Sequence, residues 1–172
     1  MKIVTTPMCE EIVKLAGIKD YAVNKFPQKS DGDLAILLSE SKVEMDAIQI
    51  KINTSTQIFE SIKKVSGLAN EELSDEEILS YFDDYELCRK YLDSDFKRGI
   101  DVKVYYKFLK DIVLDVGFNI VSDDFEHVIY PDYLKDKVAE TENLVEIPSH
   151  NFISKNPFDK AELRYGILEN LI

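Results

Sequence analysis

Five apolar residues in unbroken succession, Leu34-Ala35-Ile36-Leu37-Leu38, follow the turn Asp31-Gly32-Asp33. A strand with one face in water alternates apolar and polar side chains. A strand that is apolar at every position needs cover on both faces, which is the habit of parallel sheets. The segments around this run supply that cover. Lys2 to Thr5 is a short β-branched strand, Thr6 can cap a helix with Pro7 at its first position, and Gly17 stands where a helix ends. Ile12, Val13 and Ala16 form the apolar stripe of that helix. Tyr21-Ala22-Val23 is the next strand.

Beyond the apolar run, Ile48, Ile50 and Ile52 alternate with Gln49 and Lys51, which predicts a strand with one face more polar than the other. Asn53-Thr54-Ser55-Thr56 then offers several caps to a helix carrying Ile58, Phe59, Ile62 and Val65, closed by Gly67. Ser74-Asp75-Glu76-Glu77 has the spacing of a capping box and opens a helix through Ile78, Phe82, Tyr85 and Cys88. Val104, Tyr105, Phe108, Leu109, Ile112, Val113 and Val116 recur at helical spacing before Gly117. Residues 68–116 therefore read as a helical section. Strands at Phe118–Val121 and Val128–Tyr130, a short helix from Pro131, a strand at Leu144–Ile147 and a terminal helix from Asn156-Pro157 to about Leu171 complete the chain. No repeat or low-complexity tract is visible. The alternation predicts an α/β fold, a mainly parallel open sheet with helices on both faces and a helical insert, in one domain spanning residues 1–172.

The chain has 172 residues, 45% of them hydrophobic and 31% charged, the balance of a globular protein. Its formal charge is −12, from 33 Asp and Glu against 21 Lys and Arg. Such a surface repels a phosphate backbone, so nucleic acid is excluded as a partner. No run approaches the apolar length of a membrane span, and the N-terminus lacks the apolar stretch of a signal peptide, so no membrane association and a cytoplasmic location are expected. Cys9 and Cys88 stand far apart with no CxxC or His-rich cluster, which argues against a disulfide framework or an autonomous zinc site.

In an open α/β sheet ligands gather beyond the carboxyl ends of the strands, where helix N-termini carry unpaired N–H groups. The candidate residues lie in loops of that kind: Thr5, Thr6 and Cys9; Ser39 and Glu40; Asn53, Thr54 and Ser55; Ser149, His150 and Asn156; and Arg164 on the terminal helix. With Thr6 as cap, Cys9 falls at the third helical position, where the dipole favours a thiolate, and it is the best candidate for a nucleophile or soft-metal ligand. Its plain alternative is a small buried packing residue. His150 has the placement of a general base or metal ligand, or of a loop histidine bonded to nearby backbone. Asn53 to Thr56 suits a phosphate or carboxylate but lacks P-loop glycines. Thr6, Cys9, Ser39, Asn53, Ser55 and His150 are predicted to face one end of the sheet.

The stretches Lys2-Ile3-Val4-Thr5-Thr6-Pro7-Met8-Cys9, Asp33 to Glu40, and Asn156-Pro157-Phe158-Asp159-Lys160-Ala161-Glu162-Leu163-Arg164-Tyr165 together resemble the methanogenesis marker proteins of methanogenic archaea. The resemblance implies a non-catalytic accessory protein that binds a larger enzyme or its metallocofactor, in assembly, maturation or activation of methyl-coenzyme M reductase or its nickel cofactor. It carries no site residues over. The first forty residues also resemble the opening of cobalamin-binding or metal-cluster-binding α/β domains. Two alternatives stand beside the accessory role. One is a small enzyme using Cys9 or His150 on an anionic substrate at the Asn53 to Thr56 helix start. The other is a regulatory domain binding a nucleotide or corrinoid.

Overall fold

The computed structural model describes residues 1–149 and 154–172. Where the sequence leads to a single domain, the chain folds as two compact units: Met1–Ile52 with Thr56–Asp84, and Asn53–Ser55 with Tyr85–Ile172.

The first unit holds β1 (Ile3–Thr5), α1 (Glu10–Leu15), β2 (Tyr21–Val23), β3 (Leu34–Leu38), β4 (Ala47–Ile50), all of α2 (Ser55–Ser66) but its first residue, and α3 (Asp75–Ser80). Its strands lie in the order β2-β1-β3-β4 and every pairing is parallel. Val4, Ala35 and Leu37 are fully buried, with Ala22, Val43 and Met45 packed against them. The unbroken apolar run is therefore a covered inner strand. Ile58, Ile62 and Val65 point the stripe of α2 inward, all with no exposed surface. The capping box of α3 is complete: Glu77 N–H donates to Ser74 Oγ and Ser74 N–H donates to the Glu77 carboxylate.

The second unit holds α4 (Glu86–Lys90), β5 (Asp101–Val104), α5 (Lys107–Asp115), β6 (Asn119–Ile120), β7 (His127–Pro131), a 3₁₀ turn at Asp132–Lys137, β8 (Leu144–Ile147) and α6 (Pro157–Glu169). Its order is β6-β5-β7-β8, again parallel throughout. Counted within each unit, both sheets run second, first, third, fourth. The expected parallel α/β architecture is thus present, divided between two four-stranded sheets.

Three local expectations are corrected. The section 68–116 is not wholly helical, because Asp101–Val104 is an inner strand in which Val102 is completely buried, and Tyr105 N–H donates to Ile129 O. Val102 and Val104 alternate with Asp101 and Lys103, a strand period that the helical spacing downstream overrode. The helix expected to run from the capping box through Cys88 is two short helices, α3 and α4. Pro131 ends β7 instead of opening a helix, and 3₁₀ structure follows it.

The two sheets close their first helices alike. Gly17 and Gly117 stand just past α1 and α5 at φ 86 and φ 96. In each case the glycine N–H and the next N–H bond back to carbonyls of the last turn, Gly17 to Lys14 with Ile18 to Val13, and Gly117 to Leu114 with Phe118 to Val113. This is the Schellman arrangement, which favours glycine because its positive φ is strained for other residues. The second unit is pinned by α6. Asn156 Oδ1 accepts from Phe158 N–H at 2.8 Å, with Pro157 at the first helical position as expected. Deeper in, Tyr165 accepts from Ser55 N–H at 2.9 Å, donates to Asp115 at 2.5 Å, and stacks on Tyr91 with centroids 4.5 Å apart. Among the described residues no helix is long and apolar enough to cross a membrane.

A Cβ at Gly117 would sit 2.4 Å from Phe96 O, whereas one at Gly17 would meet nothing nearer than Ala69 Cβ at 4.0 Å. Gly17→Ala should cost the positive-φ strain alone, about 1–3 kcal/mol. Gly117→Ala should cost more, and comparing the urea midpoints of the two variants isolates the added clash.

Candidate functional site

In a sheet ordered β2-β1-β3-β4, the connections leaving β1 and β3 run in opposite directions and open a crevice beyond the carboxyl ends of those two strands. The first unit has a cavity of about 880 Å³ there, within the ~300–1,000 Å³ range usual for small-molecule sites. Its base is Thr6 and Leu37, and its walls are residues 25–29 and 41–44. Three lysines, Lys25, Lys29 and Lys42, face one acid, Glu44, so the lining is locally cationic in a chain of formal charge −12.

The first wall is held by its own polar side chains. Asn24 N–H donates to Thr5 O at 2.9 Å, tying the loop to β1. Asn24 Oδ1 accepts from Phe26 N–H at 3.0 Å, and Asp31 accepts from the Asn24 side chain and from Gln28 N–H, both at 2.8 Å. That bracing turns Phe26 outward, 71% exposed, with the Lys25 ammonium 5.7 Å from its ring centroid. The pocket thus offers positive charge and an aromatic edge. None of these lysines stood out in the sequence, because they come from loops that are separate along the chain. The available signal was lysines shortly after strand ends.

Of the residues expected at this rim, Thr6 lines the pocket and the others serve the scaffold. Thr5 is buried, and its Oγ1 donates to Ile36 O at 2.9 Å, stitching β1 to β3. Ser39 Oγ donates to Glu40 at 3.1 Å, and Ser39 N–H donates to Ile50 O at 2.9 Å. The neighbouring Ser41 and Lys42, not Ser39 and Glu40, reach the cavity. Cys9 is corrected in two respects. Thr6 to Cys9 form a turn closed by Cys9 N–H on Thr6 O, so Cys9 caps α1 instead of sitting inside it. It is also completely buried, and that burial pushes its thiol up to about 11, outweighing a hydrogen bond from Thr6 that acts the other way. A neutral, enclosed thiol is neither an activated nucleophile nor an open metal ligand.

In the second unit, Asn53 lies 3.4 Å from Asp111, Thr54 is 5% exposed, and Ser55 is buried with its N–H on Tyr165. The run that suited an anion is drawn into the fold, with Ser55 Oγ buried and without a hydrogen-bond partner among the described residues. Ser149 is buried; its Oγ donates to Asp132 at 2.5 Å and its carbonyl accepts from Arg164 at 3.3 Å. Arg164, 6% exposed, also donates twice to Pro148 O. Burial draws its guanidinium down to about 10, still charged at neutral pH, and it acts as a clasp for the chain after β8. Asn156 caps α6. His150 lies outside the described residues. Among those described, no group of three or more His, Cys, Asp and Glu side chains is placed to hold a metal ion.

No protein-family model matches the chain, and no curated protein matches it. Among solved structures it is similar to the crystal structure of the periplasmic vitamin B12 binding protein BtuF of Vibrio cholerae. The match covers 99% of this chain and 94% of that one, at 9% identity and a TM-score of 0.55. A likeness at that identity establishes the α/β fold.

Both cysteines are buried, and burial also raises Cys88 well above its ordinary value. Ellman's reagent at pH 8 should therefore leave the native protein unmodified, while the same protein in concentrated urea should react at both thiols.

Proposed function

We propose that this chain is a non-catalytic binding protein that holds an anionic small molecule in the lysine-lined pocket of its first unit. The observation that carries this reading is the cavity at the carboxyl ends of β1 and β3, lined by Lys25, Lys29 and Lys42. Ammonium groups on flexible stems suit phosphate or carboxylate without demanding one geometry. Thr6 and Ser41 add hydroxyls, and the exposed Phe26 gives an apolar rim. The groups brought together bind and orient. An enclosed, protonated Cys9 withdraws the support for an enzyme acting through that thiol.

In the setting implied by the likeness to methanogenesis marker proteins, the ligand is a metallocofactor or a precursor of one. The protein then serves a larger enzyme, with methyl-coenzyme M reductase or its assembly machinery as the partner. The alternative of a regulatory domain binding a nucleotide or corrinoid is favoured by two observations. The opening forty residues resemble cobalamin-binding domains, and the chain shares its fold with a vitamin B12 binding protein. Both ligand classes can present phosphate to the same lysines. Native affinity purification under anaerobic conditions tests the accessory role; recovery of the protein without a stoichiometric partner counts against it.

Titration calorimetry with pyrophosphate, citrate and cyanocobalamin tests the pocket. Binding of at least one is expected, with affinity falling as salt rises. Replacing Lys25, Lys29 and Lys42 together by Glu should weaken it by about tenfold or more, equivalent to ~1.4 kcal/mol. The melting temperature should hardly change, since all three lysines are exposed. Unchanged affinity in the triple variant would remove the pocket from the account.

A further inference from the structure

The second unit has its own crevice position, between β5 and β7, and its side chains differ in kind from those of the first. Tyr106 follows β5 and Tyr133 follows β7. Their rings meet edge to face with centroids 5.8 Å apart, and Tyr106 meets Phe108 in the same manner at 5.6 Å. The Arg164 guanidinium lies 5.2 Å from the Phe108 centroid and fixes that ring from behind. Yet Tyr106 is 54% exposed and Tyr133 49% exposed. The cluster is organised without being covered.

The backbone adds a second observation. Tyr106 is held at φ 94 and ψ 140, close to a region that glycine occupies almost alone. Such strain persists only where the surroundings enforce it, and it gathers at binding and catalytic sites. Fold stability does not account for it, because a ring left half in water recovers only part of the free energy of its burial. The arrangement spends stability to hold a tyrosine outward at a strand end, where α/β sheets take their ligands.

We propose that Tyr106 and Tyr133 form a stacking platform for a planar heteroaromatic ring at the carboxyl ends of β5 and β7. A ring entering beside them extends the existing edge-to-face series in the geometry aromatic groups prefer. The occupant is a small molecule and not a protein surface. Two tyrosines offer roughly 300–500 Å² even if wholly covered, well below the ~800 Å² per partner of a stable protein interface. This proposal does not rest on the lysine pocket, and the failure of either reading leaves the other untouched.

The test is ligand-observed NMR with adenosine and riboflavin as probes and maltose as a non-aromatic control, on the full chain and three variants. The wild type should bind at least one aromatic probe in preference to maltose. Tyr133→Ala and Tyr106→Gly should each weaken that binding tenfold or more, while Tyr106→Phe, which keeps the ring, should retain it. Tyr106→Gly should also melt about 2–4 °C higher, as relief of backbone strain does in a chain of this size. A merely structural ring predicts the opposite shift. Failure of the wild type to bind either aromatic probe, equal affinity in Tyr133→Ala, preference for maltose, or a lowered melting temperature or failed folding in Tyr106→Gly overturns the proposal.

Discussion

Every strand pairing among the described residues is parallel, and that constraint shapes nearly everything else. Parallel neighbours cannot be joined by a tight hairpin, so each strand must be followed by a crossover before the next is laid down. The helices that make the crossovers cover the sheet faces, which is why β3 tolerates an unbroken apolar run. Because strands within a sheet point the same way, the loops leaving their carboxyl ends gather at one rim. The lysine pocket and the tyrosine cluster occupy corresponding positions on sheets of the same strand order, so one backbone plan carries charge in the first unit and rings in the second.

Burial of polar groups at these rims explains why residues that look reactive in sequence are not. A hydroxyl or guanidinium removed from water must be given a partner or its desolvation goes uncompensated. Thr5 meets that requirement on Ile36, Ser149 on Asp132, and Arg164 on two backbone carbonyls. Each joins a strand end to its neighbour or to the helix behind it. The pocket lysines and the exposed Tyr106 and Tyr133 rings take no part in these particular bonds.

The legible parts of the sequence were those whose signal is local. The apolar run of β3, the stripe of α2, the capping box at Ser74 and Glu77, and the Asn156-Pro157 start of α6 each depend on neighbours within a few residues, and each is present. What stayed hidden depends on contacts distant in sequence. Asp101–Val104 shows a strand period over only four residues, too short to outweigh the helical spacing downstream, and its pairing with β6 and β7 decides the matter. The matching strand orders left no repeat in the sequence. Lys25 and Lys42 meet at one cavity only after β1 and β3 pair. The loop carrying Cys9 stands at the start of α1 as expected, but burial, which depends on packing from elsewhere in the chain, reversed its chemistry. The positive φ of Tyr106 has no compositional mark, since tyrosine is an ordinary residue at a helix start.

The edges of the two sheets have a bearing on how the protein behaves at high concentration. A sheet edge is a row of unpaired amides that can recruit another chain. Here β2 and β6, each at one edge, span three and two residues, too few to template a long ladder. The opposite edges, β4 and β8, are four residues each, with Lys51 just past one and Glu146 within the other. A chain whose described strands all pair in parallel passes slowly through states that expose such edges. Short, charged borders and a strongly negative surface keep those states from finding one another.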